Sequence, residues 1–125
     1  MTAIRRKPHV VLIVEHDDLL KSLTVDLMEH SGFVALQAGN ADEALAVLER
    51  RSDVTLLLTS ITMPSTMDGL TLARAVRKRW PTINVIVASG QVRLMGFNLP
   101  TGCGFIAKPY HADEMISKIH SMIGA

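Results

Sequence analysis

Three short runs of this chain, HVVLIV (9–14), VTLLLT (54–59) and INVIVA (83–88), are almost continuously apolar and leave no polar face. A strand with one wet side alternates polar and apolar residues, whereas a strand without alternation is buried on both sides. Such strands belong to parallel sheets covered by helices above and below, which requires a helix in each connection. The intervening segments supply them. From Asp17 to His30, Leu19, Leu20, Leu23, Leu27 and Met28 recur at helical spacing, and Gly32 stands at the stop. FVALQA (33–38) reads as a second strand, and Asn40 with Glu43 three residues on is a helix-start pair, followed by the stripe Ala44, Leu45, Val47 and Leu48. A helix from about Gly69 to Arg79 carries Leu72, Ala73 and Val76, with Pro81 ending it. GFIA (104–107) makes a fifth strand, and Met115, Ile116, Ile119 and Met122 face inward from a last helix at about 112–123.

Regular alternation of strand and helix predicts an α/β fold, a doubly wound five-stranded parallel sheet in the order 2-1-3-4-5. The 125 residues make one domain, with its core at about 9–123. Thirteen basic residues against twelve acidic ones project no strong field toward nucleic acid or a membrane surface, and a 48% hydrophobic content excludes a disordered chain. No apolar run approaches the roughly 18 residues of a membrane span, and MTAIRRKPH is followed by no signal-peptide core. One cysteine, Cys103, permits no internal disulfide and fits a reducing, cytoplasmic setting. It lies between glycines and reads as a small core hydrophobe.

In an open parallel sheet, chemistry gathers beyond the carboxyl ends of the strands, at the point where the strand order reverses. The residues just past four of those ends are EHDD (15–18), Ser60, Ser89 and KPY (108–110). The predicted topology brings an acidic cluster, two hydroxyls and a lysine into one crevice.

VLIVEHDDLLKSL, LLLTSITMPSTMDGLTLARAVR, VIVASGQ and GFIAKPY, in that order and spacing, resemble the receiver domain of two-component response regulators over about His9 to Ile123. The resemblance implies a non-enzymatic signalling domain. In that family an aspartate ending strand 3 takes a phosphoryl group from a histidine kinase, and two acids after strand 1 hold Mg²⁺. A Ser/Thr after strand 4 and a Lys-Pro after strand 5 contact the phosphoryl group, and an aromatic on strand 5 reports the switch. Here Glu15 and His16 take the acid positions, Ser60 the acceptor position and Thr62 the backbone metal-ligand position. Ser89 takes the hydroxyl position, Phe105 the aromatic one, and Lys108-Pro109 the Lys-Pro one.

Two of these depart from the family pattern at the centre of its chemistry. A serine hydroxyl is a weak nucleophile without a base, and it forms a stable phosphate ester rather than a labile acyl phosphate. Imidazole is a poor ligand for a hard cation such as Mg²⁺. The expectation is a pseudo-receiver, a phosphorylation-independent interaction module with no cofactor and with Mg²⁺ weak or absent. Implied partners are a histidine kinase, a phosphotransfer protein or an output domain, and a homodimer through the strand 4 to helix 5 face is one arrangement the family uses. A phosphoryl-accepting receiver with an engineered or atypical acceptor, Asp17 being the candidate, stands as an alternative. A small-ligand binder of the flavin type stands as another, although EHDD occupies the place of a phosphate-cradling loop.

Plainer readings accompany the same residues. Ser60 can cap or fill its strand end, Ser89 and Thr59 can be ordinary polar strand ends, and Phe105 can be core. His16 has no second His or Cys nearby to share Zn²⁺. Lys108, lacking its usual partner, is expected to pair with Glu15 or Asp17. Arg74, Arg77, Lys78 and Arg79 read as the solvated face of the third helix. The eighteen residues between Ser89 and Lys108 contain Gly96, Pro100, Gly102 and Gly104, so the fourth helix of the family is expected to be short or absent. Val92, Leu94, Met95, Phe97 and Leu99 then need cover from the core or from a partner.

Overall fold

The structure is a computed structural model that describes residues 7–63, 67–90 and 99–124. Its elements in order are β1 (Val10–Val14), α1 (Asp18–His30), β2 (Val34–Ala38), α2 (Ala41–Arg50), β3 (Val54–Ser60), α3 (Gly69–Arg79), β4 (Asn84–Ser89), β5 (Cys103–Ala107) and α4 (Ala112–Ile123). All four strand pairings are parallel and the sheet order is β2-β1-β3-β4-β5, as the sequence predicts. The expected short or absent helix between β4 and β5 falls on residues 91–98, outside the described residues, as do Val92, Leu94, Met95 and Phe97. Leu99 packs against the core.

The apolar runs are buried on both sides because each face of the sheet has its own core. Leu12, Val14, Leu57, Val85 and Val87 point to the face packed by α2 and α3, through Ala44, Leu48, Leu72 and Val76. Val11, Ile13, Leu56, Leu58 and Ile86 point to the other face, where Met28 of α1 and Met115 and Ile119 of α4 cover them. The alternation of inward directions along each strand is the period of two, with both directions dry.

Several boundaries differ from the sequence reading. His9 precedes β1, and Phe33 precedes β2 although its side chain is buried. Ser60 and Ser89 are the last residues of β3 and β4 rather than the first residues beyond them. The larger correction concerns α1, where Leu19 and Leu23 are 71% and 57% exposed. The buried line runs through Thr24 and Met28 instead. Thr24 enters the core because its hydroxyl is satisfied, donating to the Leu20 carbonyl at 2.8 Å and meeting the Tyr110 hydroxyl at 3.1 Å. Leu stripes alone could not register that partner.

Helix starts follow the sequence signals. Asp17, Asn40 and Asp68 accept hydrogen bonds from the amides of Leu20, Glu43 and Thr71. Gly69, the first residue of α3, has a further role. A Cβ built on it would lie 1.8 Å from the Ser60 carbonyl oxygen and 2.8 Å from the Ile61 Cα, while its amide donates to the Ile61 carbonyl at 2.8 Å. The absent side chain lets α3 seat directly on the end of β3. We therefore expect Gly69→Ala to lower stability by about 1–3 kcal/mol through backbone displacement. Thermal unfolding followed by circular dichroism checks this, and an unchanged melting temperature would contradict the close seating.

Candidate functional site

β1, β3 and β5 each deliver one polar residue to the crevice at their carboxyl ends. Glu15 follows β1 and is buried, Ser60 ends β3 and is buried, and Lys108 follows β5 with about a quarter of its side chain exposed. The three close into a ring. Lys108 Nζ donates to Glu15 Oε1 at 2.7 Å and to Ser60 Oγ at 2.7 Å, and Ser60 Oγ donates to the same Glu15 oxygen at 2.5 Å. β5 and β3 are separated by β4, roughly 9–10 Å in all at ordinary strand spacing, so only a long side chain crosses. The Lys108–Glu15 pairing expected from the sequence is present, and Ser60 is held between its two members.

The remaining Glu15 oxygen is also engaged. Oε2 accepts from the Asp17 amide at 3.1 Å and lies 3.5 Å from His16 Nδ1. Burial pushes the Glu15 carboxyl up, but the hydrogen bonds from Lys108, Ser60 and Asp17, with the Lys108 charge, outweigh it and hold the group below its ordinary value. Glu15 is therefore an ionised, internally neutralised carboxylate. No buried side-chain polar atom lacks a partner among the described residues.

The other predicted site residues take separate places. His16 is nearly half exposed beside the ring. Asp17 caps α1 through the Leu20 amide, so its carboxylate serves the helix and not the crevice. Thr62 is exposed in the loop after β3. Ser89 is buried at the end of β4, where its carbonyl accepts from the Lys108 amide at 2.9 Å. Phe105 is half-buried on the edge strand β5, opposite Val87. The Lys108–Pro109 peptide is cis, and Pro109 is exposed. Thr59 donates its hydroxyl to the Ser60 carbonyl at 2.9 Å, which settles that side chain without water.

One residue at the crevice, Thr24, escaped the sequence reading. Tyr110 and Thr24 line a cavity of about 10 Å³ beside Glu15, Ser60 and Lys108, with room for about one water molecule. Burial raises the Tyr110 hydroxyl above its ordinary pKa, only partly offset by the Thr24 contact, so it stays a neutral phenol. The KPY run carried the tyrosine, but nothing in the sequence around Thr24 signals that the two meet. Arg77 was also underread. While Arg74, Lys78 and Arg79 are exposed, Arg77 donates to the carbonyls of Pro81, Ile83 and Thr101 and ties α3 to the turn before β5. Arg79 pairs with Glu49 and lies 4.3 Å over the Trp80 ring.

The fold, the strand-end crevice and the Lys-Pro after β5 converge on the model for the response regulator receiver domain, which matches residues 11–120. The chain belongs to that family. Among its relatives, the sensor kinase CckA of Brucella abortus is 31% identical over 117 residues, which cover 90% of this chain and 12% of CckA. The nitrogen assimilation regulatory protein NtrX of Azorhizobium caulinodans is 29% identical over 111 residues, covering 86% of this chain and 24% of NtrX. The receiver thus spans a quarter or less of these two relatives. In structure it resembles the receiver domain of the hybrid histidine kinase CckA, with a TM-score of 0.78, 27% identity and coverage of 91% of this chain and 98% of that one. A CheY-like receiver domain from Methanospirillum hungatei gives a TM-score of 0.86 at 26% identity, covering 94% of this chain and 95% of that one. Receiver domains of response regulators and hybrid kinases are signalling modules, generally non-enzymatic, that interact with kinases, phosphotransfer proteins or output domains. No helix among the described residues is long and apolar enough to cross a membrane.

The ring makes Lys108 a determinant of stability. Lys108→Met strands the buried Glu15 carboxylate, and we expect a loss on the order of 2 kcal/mol at neutral pH. This is below the ~3–5 kcal/mol of a fully buried pair because Lys108 keeps some contact with water. The pH dependence has a definite sign. In the parent, Glu15 titrates below its ordinary value of 4.5, so its contribution is complete above that value and is lost as pH falls through the lower folded value. In the variant, burial acts without the ammonium and Glu15 titrates higher, so stability falls as pH rises through that value. Chemical denaturation at neutral and mildly acidic pH should show the gap between the two proteins closing in acid. A constant gap would contradict the ring.

Proposed function

We propose that this receiver signals without taking a phosphoryl group, as a pseudo-receiver whose partners read a constant surface. The observation that supports this most is the closed ring at the acceptor position. Where a phosphoryl acceptor needs an ionised carboxylate, Ser60 offers a hydroxyl that already donates a hydrogen bond to Glu15 and whose oxygen already accepts from Lys108. A neutral hydroxyl so engaged lacks both the charge and the lability that acyl phosphate chemistry requires.

The same residues fit Mg²⁺ poorly. A hard dication takes oxygen ligands, several of them charged. Glu15 has both carboxylate oxygens occupied, His16 brings an imidazole, and Asp17 is spent on its helix. Thr62 could add a backbone carbonyl and nothing more. Asp17 as an atypical acceptor is disfavoured by its capping bond, and a flavin-type ligand by a cavity of about 10 Å³. The partner we propose is a signalling protein, either a histidine kinase, a phosphotransfer protein or an output domain.

Two measurements test this reading. Titration of the parent with Mg²⁺, followed through the amide resonances of residues 15–18, should show no saturation in the low millimolar range. Incubation with a small acyl-phosphate donor and Mg²⁺ should leave the parent unlabelled by mass spectrometry. The Ser60→Asp, His16→Asp double variant should become labelled at position 60 in an alkali-labile linkage, because it regains an ionised nucleophile and a second metal-binding acid. Each single variant should take little. A labelled parent would overturn the assignment.

A further inference from the structure

We infer that Arg77 is a latch on the edge strand: its guanidinium keeps the start of β5 docked and the Cys103 thiol covered, and its release opens that corner of the sheet ahead of global unfolding. The inference goes beyond the crevice and holds whether or not position 60 takes a phosphoryl group. β5 needs such a contact. It is an outer strand, its one neighbour among the described strands is β4, and Cys103, Phe105 and Ala107 along it are only half-buried. Segments with few buried contacts supply the low-energy local openings of a fold.

The guanidinium draws together three carbonyls from two turns. Nη1 donates to Pro81 at 3.0 Å and to Ile83 at 3.1 Å, in the turn that leads into β4. Nε donates to Thr101 at 3.3 Å, in the turn that leads into β5. That second turn closes on itself through the Cys103 amide, which donates to the Pro100 carbonyl at 3.1 Å. Gly102 within it has a φ of +86°, and a Cβ there would lie 2.8 Å from Arg77 Nη2 and 3.1 Å from Cζ. The glycine thus permits the turn and leaves the guanidinium its seat. A rigid fork of donors spans both turns at once, whereas a single ammonium would serve one or the other. Beyond the turn, α4 grips the strand at Gly104, where a Cβ would meet Met122 Sδ at 2.6 Å. The stretch that Arg77 controls is therefore short and ends at Cys103.

Cys103 reports on the latch. Burial pushes its thiol up, and the Arg77 charge pulls it back only in part. Losing that charge alone would leave less thiolate and slow the thiol, so a faster thiol signals uncovering.

The test is native-state hydrogen exchange of the Cys103 amide, together with the rate at which Cys103 reacts with an aromatic disulfide reagent, in the full chain. Arg77→Gln should raise both rates by about tenfold or more, the scale of losing hydrogen bonds from a charged donor. Amides of the central strand β1 should change only as far as global stability does. Arg77→Lys should open the corner as Arg77→Gln does. A lysine variant as closed as the parent would overturn the inference, because a positive charge at the end of α3 would then suffice. So would a glutamine variant that matches the parent, or one that loses protection evenly across the sheet. Should the glutamine variant fail to fold, the parent itself decides by nuclear magnetic resonance. Its Arg77 Nε proton should exchange slowly with water and its guanidinium should rotate slowly. A freely rotating guanidinium would show that no latch exists.

Discussion

The organisation of the crevice depends on one carboxylate taken out of water. Glu15 is buried at the end of β1, and an isolated buried charge is costly enough that a chain either neutralises it or pairs it. This chain pairs it, with an ammonium from β5, and uses the serine of β3 to occupy the remaining direction of the same oxygen. The three strands that must converge for a parallel sheet to have a working edge are thereby joined by side chains as well as by backbone hydrogen bonds. Lys108 is long enough to reach past β4, and a shorter cation at that position would leave the carboxylate stranded.

Packing around the ring reinforces the same geometry. Gly69 allows α3 to start against the Ser60 carbonyl, so the end of β3 is held from its other side by backbone contact. Tyr110 and Thr24 bring α1 against the segment that follows β5, closing the floor of the crevice with two hydroxyls that satisfy each other. The receiver fold therefore accommodates a serine at the end of β3 without an unpaired buried side-chain polar atom among the described residues. Lys108 is engaged by Glu15 and Ser60 together.

Much of this was open to reading from the chain alone, and the residues show why. Val11 to Val14, Val54 to Leu58 and Val85 to Ala88 lack a polar face, which only a sheet covered on both sides tolerates, and that left few topologies. Asp17, Asn40 and Asp68 marked helix starts through local hydrogen bonding, which is a short-range property of sequence. By contrast, the rotation of α1 was misread. Leu19 and Leu23 look like core, but a helix buries whichever face the rest of the fold accepts. Here Thr24 is accepted because a tyrosine 86 residues away supplies its partner. Arg77 was missed for the same reason, since its carbonyl partners lie in two turns that the sequence does not bring together.

The sequence by itself determined the fold class, the strand order and which residues would stand at the strand ends, because hydrophobic periodicity and helix-start chemistry act over a few residues at a time. It also determined that an aspartate is absent at position 60 and an acid at position 16. Only the tertiary structure decided what the side chains at those positions engage. Whether Lys108 turned to Glu15 or to Asp17 depended on which carboxylate was buried and which was already committed to a helix. That choice is made by desolvation and by distances across three strands, quantities that arise only when residues 15, 60 and 108 are brought within hydrogen-bonding reach.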